Sequence, residues 1–176
     1  MIRLAHLLIA VALAGCQPYP LEERWRPLEE VVERPALHAS NTVSTTLGAR
    51  IYVVDLGAWL KRFPPDSPEQ EALLLHEREH AVRQLEAGLG SWLARYLNDR
   101  AFMWREEQVG WFLQLQRLRQ AGRPVVPAVI AAVLADYRNL SGRMVDYGEA
   151  LAWVQAVLSG AWTPENAHSP RARRPA

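Results

Sequence analysis

Residues 76–80 read His-Glu-Arg-Glu-His, and this string constrains the fold more than any other part of the chain. Two histidines four residues apart act together on a helix, where positions i and i+4 stand one above the other on one face. On such a helix His76 and His80 offer two imidazoles to one metal ion. Glu77 then lies beside the first imidazole, where a carboxylate can take a proton from metal-activated water. The chain has five histidines among 176 residues, so this spacing with a glutamate in second place is a rare outcome of composition alone. The competing reading is a solvated helix face, and Arg78 and Glu79 indicate that the helix also has one.

The flanking sequence predicts the helix. Ser67-Pro68-Glu69-Gln70 reads as a start, with Ser67 as N-cap, Pro68 at the first helical position and Gln70 closing a capping box. Leu73, Leu74, Leu75, Ala81, Val82 and Leu85 supply an apolar side that His76 and His80 flank, and Gly88 and Gly90 read as stop signals. A catalytic zinc site takes three protein ligands and leaves a fourth position open. The metzincin extension would need Gly three residues and His six residues after His80, but those positions hold Arg83 and Glu86. A downstream acid is the other route. Glu106 and Glu107 lie within Ser91–Arg119, a segment rich in helix formers with a possible break at Asn98-Asp99.

With these residues on the page, the chain resembles the gluzincin branch of zinc metallopeptidases, particularly the small single-domain minigluzincins. In those, H-E-x-x-H is followed some tens of residues later by Glu in an E-x-x-A pattern. Glu107-Gln108-Val109-Gly110 is similar, with Gly110 in place of Ala. The resemblance runs from Ile51 to Leu118. It implies Zn2+ held by His76, His80 and Glu107, with Glu77 as general base and Glu106 as the alternative third ligand. The implied fold is a single α+β domain, mostly helical and zincin-like, with a small β-hairpin or three-stranded sheet beside the H-E-x-x-H helix. The implied activity is that of a zinc-dependent endopeptidase acting on a peptide or protein. Two rivals are a non-catalytic zinc-binding scaffold or binding module, and an enzyme held inactive until a partner or movement opens it. An oxyanion stabiliser is expected among Tyr96, Tyr137, Tyr147 and His168. A carboxylate that orients an imidazole is expected among Asp99, Asp136 and Asp146.

Residues 1–16 resemble a bacterial lipoprotein signal. Arg3 makes a short positive region, Leu4 to Ala14 is apolar but too short to span a membrane, and Leu13-Ala14-Gly15-Cys16 matches a lipobox. The resemblance implies removal of residues 1–15 and lipid, such as palmitate, on the sulfur and amine of Cys16, the single cysteine. Several acyl chains anchor a protein firmly, since each buried CH₂ contributes about 0.8 kcal/mol. The expected location is the bacterial cell envelope, and the outer membrane in a Gram-negative cell, because Gln17 rather than Asp follows the cysteine.

Loss of Arg3, with no acid lost, takes the formal charge from +1 to 0. No basic stripe of the kind that binds nucleic acid is present. With Cys16 lipidated no disulfide is available, so packing alone must hold one domain. Residues 16–36, which carry Pro18, Pro20, Pro27 and Pro35, read as a tether, 37–160 as the domain and 161–176 as a disordered tail. Thr42–Thr46 and Arg50–Val54 around Gly48 read as a hairpin, with Arg50–Val54 as the edge to which an extended substrate can pair. Asp55–Phe63 is expected to form a short helix. Pro127–Asn139 and Asp146–Leu158 read as two more, the last opened by an Asp146-x-x-Glu149 capping box. Most of the seven tryptophans are expected in the core.

Overall fold

The computed structural model describes residues 31–34 and 44–164. The hairpin is present. β2 (Thr45–Leu47) and β3 (Arg50–Val53) pair antiparallel, with Thr46 opposite Ile51. β-Branched and aromatic side chains favour the pleated backbone here, and Gly48 takes the positive φ of 59° that the two-residue turn requires. A third strand, β1 (Val31–Glu33), lies parallel to β3, which gives the order β1-β3-β2. Two expectations are corrected by this. Arg50–Val53 is the central strand rather than the edge. Residues 31–33, assigned to the tether from their proline-rich surroundings, belong to the sheet.

Six helices follow. Asp55 caps α1 (Leu56–Arg62) by accepting from the Ala58 amide. Ser67 caps α2 (Pro68–Ala87) through the Gln70 amide, with Pro68 at its start. The Gln70 side chain reaches back to the Asp66 amide and the Phe63 carbonyl, one residue beyond the Ser67 amide that would close the expected box. Gly88 ends α2 with φ 77°. Gly90, read as a second stop, lies inside α3 (Leu89–Asn98). Asp99 separates α3 from α4 (Arg100–Gln120) and caps the latter.

α5 (Pro127–Asp136) is shorter than expected, because Tyr137 is extended and Arg138–Asn139 (β4) pairs with Gly142–Arg143 (β5). Asp146 caps α6 (Tyr147–Ser159) by accepting from the Glu149 amide. The fold does not stop at 160. Trp162 packs edge-on against Phe112 and Trp153, so residues 161–164 are part of the packed structure. Residues 165–176 lie outside the described ones.

The result is α+β and mostly helical, as expected. Two apolar cores form. Ile51, Val53, Trp59 and Leu73 bind the sheet and α1 to α2, while Trp111, Leu115, Leu134, Trp153, Val154 and Val157 bind α4 to α5 and α6. Among the described residues no helix is long and apolar enough to cross a membrane. α2 packs along α4, and the most polar buried residues of the chain lie between these two helices.

Candidate metal centre

The buried face of α2 differs from the apolar side read in the sequence. Leu73, His76, Glu77, His80 and Gln84 point inward, whereas Leu74, Leu75, Val82 and Leu85 are only partly covered. On α4 the facing stripe is Glu107, Gly110, Trp111 and Gln114, spaced by three, four and seven residues as one side of a helix requires. His76, Glu77, His80 and Glu107 are 4%, 6%, 6% and 2% exposed.

Nε2 of His76 lies 2.9 Å from Nε2 of His80. The Glu107 carboxylate spans the pair, with Oε2 3.4 Å from His76 Nε2 and Oε1 3.3 Å from His80 Nε2. For donor–metal bonds of about 2.0–2.2 Å, two corners of a tetrahedron stand about 3.4 Å apart. Both carboxylate edges meet that figure, and the edge between the imidazoles falls somewhat short of it. Gln114 Oε1, 3.0 Å from His76 Nδ1, accepts that proton and leaves a lone pair on Nε2 facing the centre. Two such nitrogens this close repel unless a proton or a cation lies between them. Glu107 Oε2 is buried with no hydrogen-bond partner among the described residues. An unpartnered carboxylate oxygen facing two imidazole nitrogens is the arrangement that a divalent cation satisfies, so the residues fit a metal.

Burial alone would push the Glu107 carboxyl up. The adjacent imidazoles of His80 and His76 outweigh it and hold the group well below the usual carboxylate range. Burial would likewise lower His80, but the Glu107 charge and hydrogen bond raise it. The centre thus favours positive charge. Its N₂O donor set suits zinc and also other first-row divalent ions.

No family model, curated protein or solved structure matches this chain. The reading therefore rests on the residues themselves.

Glu106, the alternative ligand, points away from the centre. It takes two hydrogen bonds from Arg83, at 2.6 and 2.8 Å, and one from Trp92 Nε1 at 3.0 Å. Gly110 is explained by its neighbour: a Cβ there would stand 2.7 Å from His76 Cδ2 and 2.8 Å from Nε2. Even Ala would displace the ring. Tyr96 donates to Glu107 Oε1 and stacks on Trp92, so it positions a candidate ligand. Tyr137 is pushed far up by burial and then by the charges of Glu107 and Glu77, which puts its phenol in the field of both. Tyr147 is exposed at the start of α6.

The expected orienting carboxylate is a carboxamide instead. Gln114 supplies it, Asp99 and Asp146 are spent as helix caps, and Asp136 is exposed at the end of α5. His168 and Cys16 lie outside the described residues.

Glu77 has partners that the sequence reading missed. Ser44 Oγ donates to its Oε1 and Thr46 Oγ1 to its Oε2, each at 2.5 Å. The alternation Ser44-x-Thr46 places both hydroxyls on one side of a strand, a signal available in the sequence. That this side faces Glu77 follows only from the packing of β2 on α2.

Proposed function

We propose that the chain is a zinc-dependent endopeptidase anchored to a membrane of the bacterial envelope by lipid on Cys16. One observation carries the reading. His76, His80 and Glu107 converge in a buried centre, and Glu77 adjoins the first of them. His76, His80 and Glu107 would hold the ion, which when bound polarises a carbonyl and activates water.

The remaining roles fall to the chain. Gln114 keeps the His76 proton on Nδ1, and Tyr96 restrains Glu107. Of the buried carboxylates, Glu106 is committed to Arg83 and Glu107 to the histidines, so Glu77 takes the proton from water and passes it to the leaving amine. Tyr137, which lies in the field of Glu107 and Glu77, is assigned the hydrogen bond to a developing oxyanion. The substrate backbone pairs with the outer edge of β2, which has one sheet neighbour among the described residues and whose Thr46 carbonyl is held by Gln84 until the substrate replaces it.

The second reading is a non-catalytic zinc-binding lipoprotein that acts as a scaffold. The burial of the centre and the two hydroxyls on Glu77 favour it. Glu77→Gln in the full-length chain separates the two. A peptidase should keep its zinc and lose turnover of casein or a peptide library by a factor on the order of 10² or more. Zinc-loaded wild type that cleaves neither probe, with or without membranes, would favour the scaffold. Metal analysis of the purified chain tests the choice of zinc. Cys16→Ser should shift the protein out of the membrane fraction or leave an uncleaved precursor; unchanged fractionation and processing would remove the anchor from the proposal.

A further inference from the structure

Glu77 is the group that must accept a proton if the chain is a peptidase, and in this fold each of its oxygens already accepts a hydrogen bond from a hydroxyl. Ser44 Oγ reaches Oε1 and Thr46 Oγ1 reaches Oε2. Two hydroxyls two positions apart, that of Thr46 on β2 and that of Ser44 just before it, meet the two oxygens, and Glu77 is 6% exposed. β2 is tied down further along. Gln84, seven residues after Glu77 on the same face of α2, accepts from the Gly48 amide at 2.8 Å and donates to the Thr46 carbonyl at 3.0 Å. The strand is three residues long and forms one border of the sheet.

We propose that Ser44 and Thr46 are a latch: β2 closes on Glu77 through these two hydroxyls, the folded domain is the latent form, and turnover requires β2 to release the carboxylate. The inference rests on the peptidase reading and concerns how that site is regulated. An extended segment that displaces Gln84 from the Thr46 carbonyl and pairs there frees the strand whose side chains cover Glu77. A substrate or partner that binds there is thus placed to release the latch. No chemistry beyond the exchange of hydrogen bonds is involved, since water replaces the two hydroxyls on the carboxylate.

The test compares full-length wild type with Ser44→Ala/Thr46→Val, in which Val keeps the shape and strand preference of Thr. A pair that keeps both hydroxyls, Ser44→Thr and Thr46→Ser, serves as control. Amide hydrogen exchange in the metal-free proteins should quicken about tenfold or more across Thr45–Val53 in the double variant, with α6 unchanged. With zinc bound, casein turnover should rise about tenfold or more, because a mostly closed population conceals activity in proportion to the closed fraction. The control variants should behave as wild type.

Unchanged hairpin exchange would overturn the latch. So would a loosened hairpin with turnover equal to or below wild type, since the hydroxyls would then only support the fold. If the double variant does not fold, Ser44→Ala alone should give a smaller rise, and no rise would count against the proposal. Absence of zinc from both wild type and variant would end the peptidase reading and the latch with it; metal content tells this apart from failure of the latch alone.

Discussion

Gly110 sets how closely α4 can approach His76. Alanine favours a helix over glycine by about 1 kcal/mol, so on propensity Gly110→Ala should strengthen α4. The close approach of a Cβ to the His76 ring predicts the opposite for the site. Zinc affinity should fall about tenfold or more while helical content is kept, as measured by metal titration and circular dichroism. Unaltered affinity would show that the ring can move aside without cost. At this scale the clustering of His76, His80 and Glu107 was legible, because i and i+4 on a helix and a glutamate in an E-x-x-small pattern are local patterns. Gln114 was legible in principle, two helical turns beyond Glu107 on the same face. Ser44 and Thr46 were not, since their relation to Glu77 spans more than thirty residues and depends on how a strand lands on a helix. The inward turn of His76, Glu77, His80 and Gln84 was concealed by the leucines around them, which suggested the apolar side of the helix.

Between elements, Glu106 does what its neighbour does not. It joins Arg83 of α2 and Trp92 of α3 to α4. Removing one partner of such a network strands the others. Arg83 keeps part of its side chain in water, which limits the penalty. Glu106→Ala should cost about 2–3 kcal/mol in urea unfolding, with zinc content unchanged. Loss of zinc at unchanged stability would instead make Glu106 the ligand. Helix starts were legible here because Asp55, Ser67, Asp99 and Asp146 all cap the helices they precede. The sheet order was not. β1 is three residues lying between Pro27 and Pro35, and nothing local to it announces a parallel neighbour twenty residues away. Without β1, Arg50–Val53 passes for an edge.

In the whole molecule, the centre lies between two cores, one built on the sheet and one on α4, α5 and α6. A bound ion would therefore join two halves that otherwise meet across buried polar groups. At free zinc of a thousand times the dissociation constant, binding to the folded form alone contributes about 4 kcal/mol. For a chain of this size that raises the melting temperature by roughly 8–16 °C. A chelator should reverse the shift, and His76→Ala should abolish it; a shift that persists in His76→Ala would place the ion elsewhere. The α+β class was legible at this scale from the hairpin and the run of helix signals. The extent of the fold was not, because the contribution of Trp162 is made by packing on Phe112 and Trp153, to which no periodicity points.

The two imidazoles are flanked by indoles. Trp111 meets His76 edge-on at 5.6 Å between ring centres, and Trp92 meets His80 at 5.8 Å. Trp59 and Trp153 are buried in the separate apolar cores. The emission of this chain is thus divided by position: two fluorophores beside His76 and His80, and others in the apolar cores. An ion with visible absorption, such as cobalt(II) or copper(II), quenches by energy transfer over short distances, so it darkens the first pair preferentially. The centre carries its own optical gauge, which reads occupancy without a substrate and before any activity is found.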